Sequence, residues 1–335
     1  MDIRKIAVIV AGSWGTALSG VLADNGCEVR LWTRDRAHAE QINALRENAR
    51  YMPGSRLPDG VTATASLEEA LRDAEAAVLA APSAAMREVA RAVAPFARRD
   101  MLLVHATKGF ELVSLKRMSE VIVEEMPCFS GRVVVLSGPS HAEEVIRRLP
   151  TTVVVASQTR DCALKAQRLF TNSYFRVYTN PDVIGVELSG ALKNIIALAA
   201  GMSDGLNYGD NAKAALVTRG LAEIARLGTA LGANPLTFAG LAGVGDLVVT
   251  CTSRQSRNWR VGYRLGQGLG LREALEELHM VAEGVRTTQA AHALAARHGI
   301  EMPITAQLHA VLFEGKEPAL AVEELMNRAP KHELV

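Results

Sequence analysis

A short β-branched run, Ile3–Ile9, passes directly into Val10-Ala11-Gly12-Ser13-Trp14-Gly15-Thr16-Ala17, a helical pattern near 14–25 and a second strand-like run, Glu28–Trp32. Strand, tight glycine turn, helix and strand in that order make a βαβ unit of a parallel sheet, with a helix N-terminus aimed at a pyrophosphate. Gly12 would let the backbone approach phosphates, and Gly15 would let the helix pack close to the strand. Val10 stands where the fingerprint has its first glycine. A β-branched residue resists φ > 0, so the turn either avoids that conformation or stores strain. The plainer reading is an ordinary strand–turn–helix whose glycines serve packing alone.

An acidic residue about 20 residues beyond the turn would hold the ribose 2′-hydroxyl of NAD. Here the sequence reads Thr33-Arg34-Asp35-Arg36. Arg34 suits a 2′-phosphate and tilts the choice toward NADP(H), Asp35 turned inward would admit NAD(H), and a solvated arginine is the neutral alternative.

Further β-branched runs at Ala76–Ala80, Met101–Ala106, Val133–Leu136 and Thr152–Ala156 alternate with helical patterns near 36–48, 84–94 and 114–126. From about Asp182 such runs almost vanish, and Ala/Leu/Gly-rich helical spacing covers 182–201, 211–231, 258–268, 271–278, 286–298 and 304–314. The expected fold class is α/β: a Rossmann-type, mostly parallel sheet domain over 1–180 followed by an all-α domain over 181–335, with the ligand cleft between them. A chain of 335 residues has room for both.

With 49% hydrophobic and 22% charged residues, the composition is that of a globular protein. Lys and Arg total 37 against 36 Asp and Glu, so no global field would hold a nucleic acid, and any anion needs a local cluster. Cys27, Cys128, Cys162 and Cys251 stand far apart with no C-x-x-C pair, which suggests neither disulfide scaffold nor metal site and fits a reducing cytoplasm. The opening apolar stretch is too short for a signal peptide, and no uncharged apolar run reaches the length of a bilayer span, so a cytoplasmic protein without membrane insertion is expected.

Two lysines stand out. Lys108 follows the run Met101–Ala106, at a strand's carboxyl end where open α/β sheets place ligands; a loop lysine in solvent fits equally well. Lys193 lies in Leu188-Ser189-Gly190-Ala191-Leu192-Lys193-Asn194-Ile195-Ile196-Ala197, apolar on nearly every side. A buried ammonium loses hydration, so its pKa falls and it can exchange a proton near neutrality; the alternative is a snorkelling or ion-paired lysine. Asp246, in Gly243-Val244-Gly245-Asp246, could orient a lysine or accept a substrate hydroxyl, or simply cap a helix. Ser256, Arg257 and Asn258 combine hydroxyl, guanidinium and amide donors at a helix start, which suits a phosphate dianion, although a solvated basic loop would read the same. Ser137-Gly138-Pro139-Ser140 is another donor-rich turn at a strand end.

Taken together, these segments resemble the bacterial NAD(P)-dependent glycerol-3-phosphate dehydrogenases over nearly the whole chain. The resemblance is carried by 11–17, Arg50-Tyr51-Met52-Pro53-Gly54, Ala106-Thr107-Lys108-Gly109, 136–140, Gly185-Val186-Glu187-Leu188, Leu192-Lys193-Asn194, Gly209-Asp210-Asn211-Ala212-Lys213-Ala214, Thr218-Arg219-Gly220-Leu221, 243–247 and 256–258. It implies reversible reduction of dihydroxyacetone phosphate to sn-glycerol 3-phosphate for glycerophospholipid synthesis, with NADP or NAD as cofactor and a homodimer as the expected assembly. It also implies a cofactor bound by Ser13, Trp14, Arg34, Lys108, Ala142, Arg257, Val281 and Glu283, beside Gly12 and Gly15 of the turn. The substrate would be held by Lys108, Gly138, Ser140, Lys193, Asp246, Ser256, Arg257 and Asn258. Lys193 would exchange the proton, with Lys108 and Asp246 as its catalytic partners and no metal. Two rivals share parts of this pattern: another Rossmann-plus-helical dehydrogenase acting on a hydroxyacid, and a non-catalytic dinucleotide sensor, motivated by Val10 in the glycine turn.

Overall fold

The computed structural model describes residues 3–278, 282–330 and 332–333. Strands β1 (Lys5–Ile9), β2 (Glu28–Trp32), β3 (Val61–Thr64), β4 (Ala76–Leu79), β5 (Leu102–His105), β6 (Val134–Ser137), β7 (Thr151–Ala156) and β8 (Phe175–Asn180) form one sheet in the order β3-β2-β1-β4-β5-β6-β7-β8. Neighbours run parallel except β6 and β7. β1 lies between β2 and β4, so the strand order reverses at the carboxyl end of β1, the crevice where open sheets take ligands.

Helices α1 (Ser13–Asp24), α2 (Arg36–Leu45), α3 (Leu67–Leu71), α4 (Met86–Val93), α5 (Met118–Glu125), α6 (Ala142–Val145) and α7 (Arg160–Phe170) are interleaved with the strands. Two apolar cores result. One packs β-sheet residues such as Val8, Val29 and Val104 against Leu18 and Leu22 of α1. The other packs Ile9, Leu79 and Leu103 against Met86 of α4 and Ile122 of α5. β4, β5 and β6 are buried throughout, which is why they read as apolar runs rather than alternating ones, whereas β2 alternates.

After β8 the chain is helical: α8 (Val183–Gly205), α9 (Gly209–Ala230), α10 (Asp246–Thr252), α11 (Arg257–Gly266), α12 (Leu271–Leu278), α13 (Glu283–His298), α14 (Pro303–Phe313) and α15 (Pro318–Met326). Asp182 caps α8 by accepting from Gly185 N at 2.9 Å. By length and hydropathy α8 could cross a membrane, yet 89% of its apolar window is buried inside the protein. Leu188, Leu192, Ile195 and Ile196 sit within a helical core, and each such side chain contributes ~1.5–3 kcal/mol on burial.

The expected helix near 114–126 starts later, at Met118, because residues 110–117 instead fold back as a hairpin with a Phe110–Arg117 bridge. This hairpin leaves the sheet domain's carboxyl edge, and Phe110 lies in the helical core. β3 and β8, with α3, α6, α7, α10 and α15, add to the elements the sequence pattern suggested.

Candidate active site

At the end of β1, Val10 turns the chain out of the sheet with φ 85°, the left-handed conformation that the sequence left open. For a β-branched residue this stores ~1–3 kcal/mol. A Cβ on Gly15 would fall 2.2 Å from Val10 O, so α1 approaches the turn as it does only because that position is glycine. Gly12 caps α1 without a side-chain hydrogen bond, and a Cβ there would meet nothing within 4 Å. First-turn N–H groups facing open space fit a pyrophosphate. Ser13 Oγ donates to Tyr51 O (3.1 Å), and Trp14 is half-buried against the sheet core. Arg34 is exposed just beyond β2. Asp35, by contrast, is committed to α2, accepting from Ala37 N at 3.0 Å and His38 N at 3.3 Å.

Across the sheet, Lys108 follows β5 and lies over α8 at Gly190, where a Cβ would press on Ser137 Oγ at 2.8 Å and Lys108 Cγ at 3.4 Å. Its Nζ donates to Asp246 Oδ2 (2.6 Å) and Gly138 O (3.1 Å). Lys193, one turn along α8 from Gly190, donates to Asp246 Oδ1 (2.5 Å) and Thr250 Oγ1 (2.7 Å). Lys193 is 6% exposed and Asp246 1%. Asp246 opens α10 but makes no cap, so both its oxygens serve the lysines. Burial, reinforced by the Lys108 charge and opposed by Asp246, pushes Lys193 down to about 7. Burial would raise Asp246, but the two ammonium groups outweigh it and hold its carboxyl below the ordinary value. A lysine so placed can give or take a proton at neutral pH.

The helical side brings further donors. Ser256 caps α11 by accepting from Trp259 N at 3.3 Å, leaving its own O–H to donate elsewhere, and Arg257 beside it is exposed. Asn258 is buried and ties three helices together: its Nδ2 donates to Asn194 Oδ1 (2.8 Å), and its Oδ1 accepts from Gly284 N (2.9 Å). Ser140 Oγ donates to Gly138 O (2.9 Å), and Ala142 begins α6. Glu283 begins α13 and accepts from Ser83 Oγ (2.6 Å) and Ser83 N (3.3 Å), a link between the lobes just beyond β4. Val281 lies outside the described residues.

Matches to known proteins agree with this architecture. The family described as NAD-dependent glycerol-3-phosphate dehydrogenase matches with its N-terminal part over residues 5–163 and its C-terminal part over 182–323. The chain belongs to the NAD-dependent glycerol-3-phosphate dehydrogenase family. A family member from Geobacillus kaustophilus (strain HTA426), named glycerol-3-phosphate dehydrogenase [NAD(P)+], is 59% identical across 99% of this chain and 96% of its own. One from Bacillus subtilis (strain 168), with the same name, is 55% identical across 99% and 96%. The crystal structure of glycerol-3-phosphate dehydrogenase from Coxiella burnetii superposes with a TM-score of 0.92 at 42% identity, covering 98% of this chain and 99% of that one. The protein is thus an NAD(P)-dependent oxidoreductase with a Rossmann-type sheet domain and a helical C-terminal domain, and neither rival reading is favoured.

Within this dehydrogenase fold, three groups beside the site had escaped sequence reasoning. Thr250 shares a face of α10 with Asp246, a spacing of four that could have revealed it. Ser83 stands at the carboxyl end of β4, the same address that singled out Lys108. His141 follows Ser140; its Nε2 is buried and meets no hydrogen-bond partner among the described residues, and burial together with the Lys193 charge lowers its pKa. Lys213, from the motif 209–214, instead pairs with Asp204 at 2.8 Å and braces α9 against α8.

Proposed function

We propose that this dehydrogenase catalyses the reversible reduction of dihydroxyacetone phosphate to sn-glycerol 3-phosphate in the cytoplasm, without membrane insertion, in the service of glycerophospholipid synthesis. The observation that carries the reading is the buried Lys193–Asp246–Lys108 cluster. When bound, the nicotinamide supplies the hydride to the carbonyl carbon, or receives it in the reverse direction.

Everything else falls to the chain's own groups. In reduction Lys193 Nζ, as ammonium, gives its proton to the oxygen as the carbonyl becomes an alkoxide; in oxidation the neutral amine takes the proton back. Asp246 and Thr250 fix the position of Nζ, and the Lys108 charge beside the same carboxylate favours negative charge on the substrate oxygen. Arg257 and the free Ser256 O–H at the head of α11 hold the phosphate, with Asn258 setting the relation of α11 to α8 and α13. Binding energy gathered at the phosphate then orients the reacting carbon. Gly138 and Ser140 line the neighbouring turn as substrate contacts. Gly12, Ser13, Trp14 and Gly15 seat the pyrophosphate, Arg34 receives a 2′-phosphate, and Lys108, Ala142, Arg257, Val281 and Glu283 complete the cofactor site. With Asp35 engaged as a helix cap, NADP(H) is the favoured form and NAD(H) the weaker. Domain limits of 1–180 and 181–335 and assembly as a homodimer complete the reading.

The test is loss of NADPH absorbance, and separately of NADH absorbance, on adding dihydroxyacetone phosphate, with Lys193→Ala as the control. No turnover by the wild-type protein with either cofactor refutes the assignment.

A further inference from the structure

The strained valine has a partner. Asn48, fully buried between α2 and β3, spends both amide protons on the glycine turn: Nδ2 donates to Ala11 O at 2.9 Å and to Thr16 Oγ1 at 2.8 Å. Its Oδ1 faces His38 Nε2 at 2.9 Å. Because Nδ2 is fully used in donating, Oδ1 must accept, which places a proton on His38 Nε2. His38 Nδ1 in turn lies 3.2 Å from Thr33 Oγ1, in the loop that carries Arg34. A closed polar chain therefore runs beneath the dinucleotide seat, from the turn to the loop after β2.

The carbonyl caught by Asn48 belongs to Ala11, the residue immediately after Val10. If Val10 relaxed to φ < 0, the backbone that joins it to Ala11 would swing, and Ala11 O would leave Asn48 as an unpaired buried carbonyl, stranding the amide proton that had bound it. We propose that Asn48 is a positioning residue for cofactor binding: its hold on Ala11 O keeps Val10 in the left-handed conformation and so preserves the phosphate-facing shape of the turn without the glycine that would adopt it freely. This rests on the turn being the cofactor's seat.

A double-mutant cycle tests it, with the dissociation constant for NADPH measured by calorimetry and folding followed by thermal melting. In wild-type protein, Asn48→Ala is expected to weaken NADPH binding about tenfold, the lower end of the strain such a backbone stores. In the V10G background the same substitution is expected to change affinity by no more than about twofold, because glycine needs nothing to hold it at positive φ. V10G alone should bind about as well as wild type. An Asn48→Ala protein that folds only in the V10G background supports the same conclusion. Equal losses in both backgrounds, or failure to fold in both, would make Asn48 a general core residue and overturn the proposal. Undiminished affinity in Asn48→Ala also overturns the proposal, and if Gly12→Val, which fills the space before the helix, likewise leaves affinity intact, the turn does not seat the cofactor.

Discussion

Lys108 and Lys193, which reach the cleft from β5 and from α8, bond to different oxygens of the one Asp246 carboxylate. Burial first, with the Lys108 charge adding to it and Asp246 opposing, pushes the deeper Lys193 down to about 7. With Lys193 as the proposed proton donor, reduction would consume the ammonium form, so its rate should fall as pH rises through about 7. Oxidation needs the free amine and should fall as pH drops through the same region. Lys108→Met removes a charge that opposes protonation of Lys193, so the limb should move to higher pH while the overall rate drops. Profiles of kcat against pH in both directions check this, and an unmoved limb in the variant would show that Lys108 does not tune Lys193.

Thr250 both receives Lys193 Nζ at 2.7 Å and donates to Asp246 O at 2.5 Å. Thr250→Val keeps the shape and removes both bonds. Hydrogen bonds to charged groups contribute ~1.5–3 kcal/mol, so kcat should drop by about 10- to 100-fold. Cofactor affinity should stay put; a fall confined to affinity would contradict the assigned role.

Arg257 is expected to recognise the phosphate. Arg257→Gln should raise KM for dihydroxyacetone phosphate by about 100-fold, in line with a charge-assisted bond of ~1.5–3 kcal/mol, and, with NADPH saturating so that the lost cofactor contact does not count, leave the slow reduction of unphosphorylated dihydroxyacetone far less affected. Comparing the two substrates separates phosphate binding from damage to the fold.

Arg34→Ala should weaken NADPH binding by about tenfold or more while leaving NADH nearly untouched, because the guanidinium would meet only the 2′-phosphate. Equal effects on both cofactors would place Arg34 outside that contact.

β4, β5 and β6 were legible because burial throughout made them apolar runs, while Glu28–Trp32, which alternates, stands where its β-branched and aromatic residues placed it. β8 escaped because Arg176, Tyr178 and Thr179 face outward on an edge strand and dilute its apolar character. β3 offers only Val-Thr-Ala-Thr. In the site, Lys193 declared itself by its apolar neighbours and Lys108 by its place after a strand. What a linear pattern could not give was convergence: Asp246 lies 53 residues from Lys193 and 138 from Lys108, and only the packing of α10 on α8 brings the three together. The conformation of Val10 was equally undecided, since the residue type argued against positive φ while the turn demanded it.

Glu187, Gly190 and Lys193 recur every third residue of α8, so each is the next one's neighbour and the three wind along the helix about 60° apart. Glu187 anchors the hairpin after β5 through Arg117 at 2.6 Å and Ser119 N at 2.7 Å, and Gly190 makes room for the lysine at that hairpin's root. The helix thereby acts as a ruler, its pitch fixing how far the Lys193 ammonium stands from the loop that carries Lys108. Inserting one residue between Glu187 and Lys193 would turn the ammonium by about 100° away from its partners, so this stretch is locked in length.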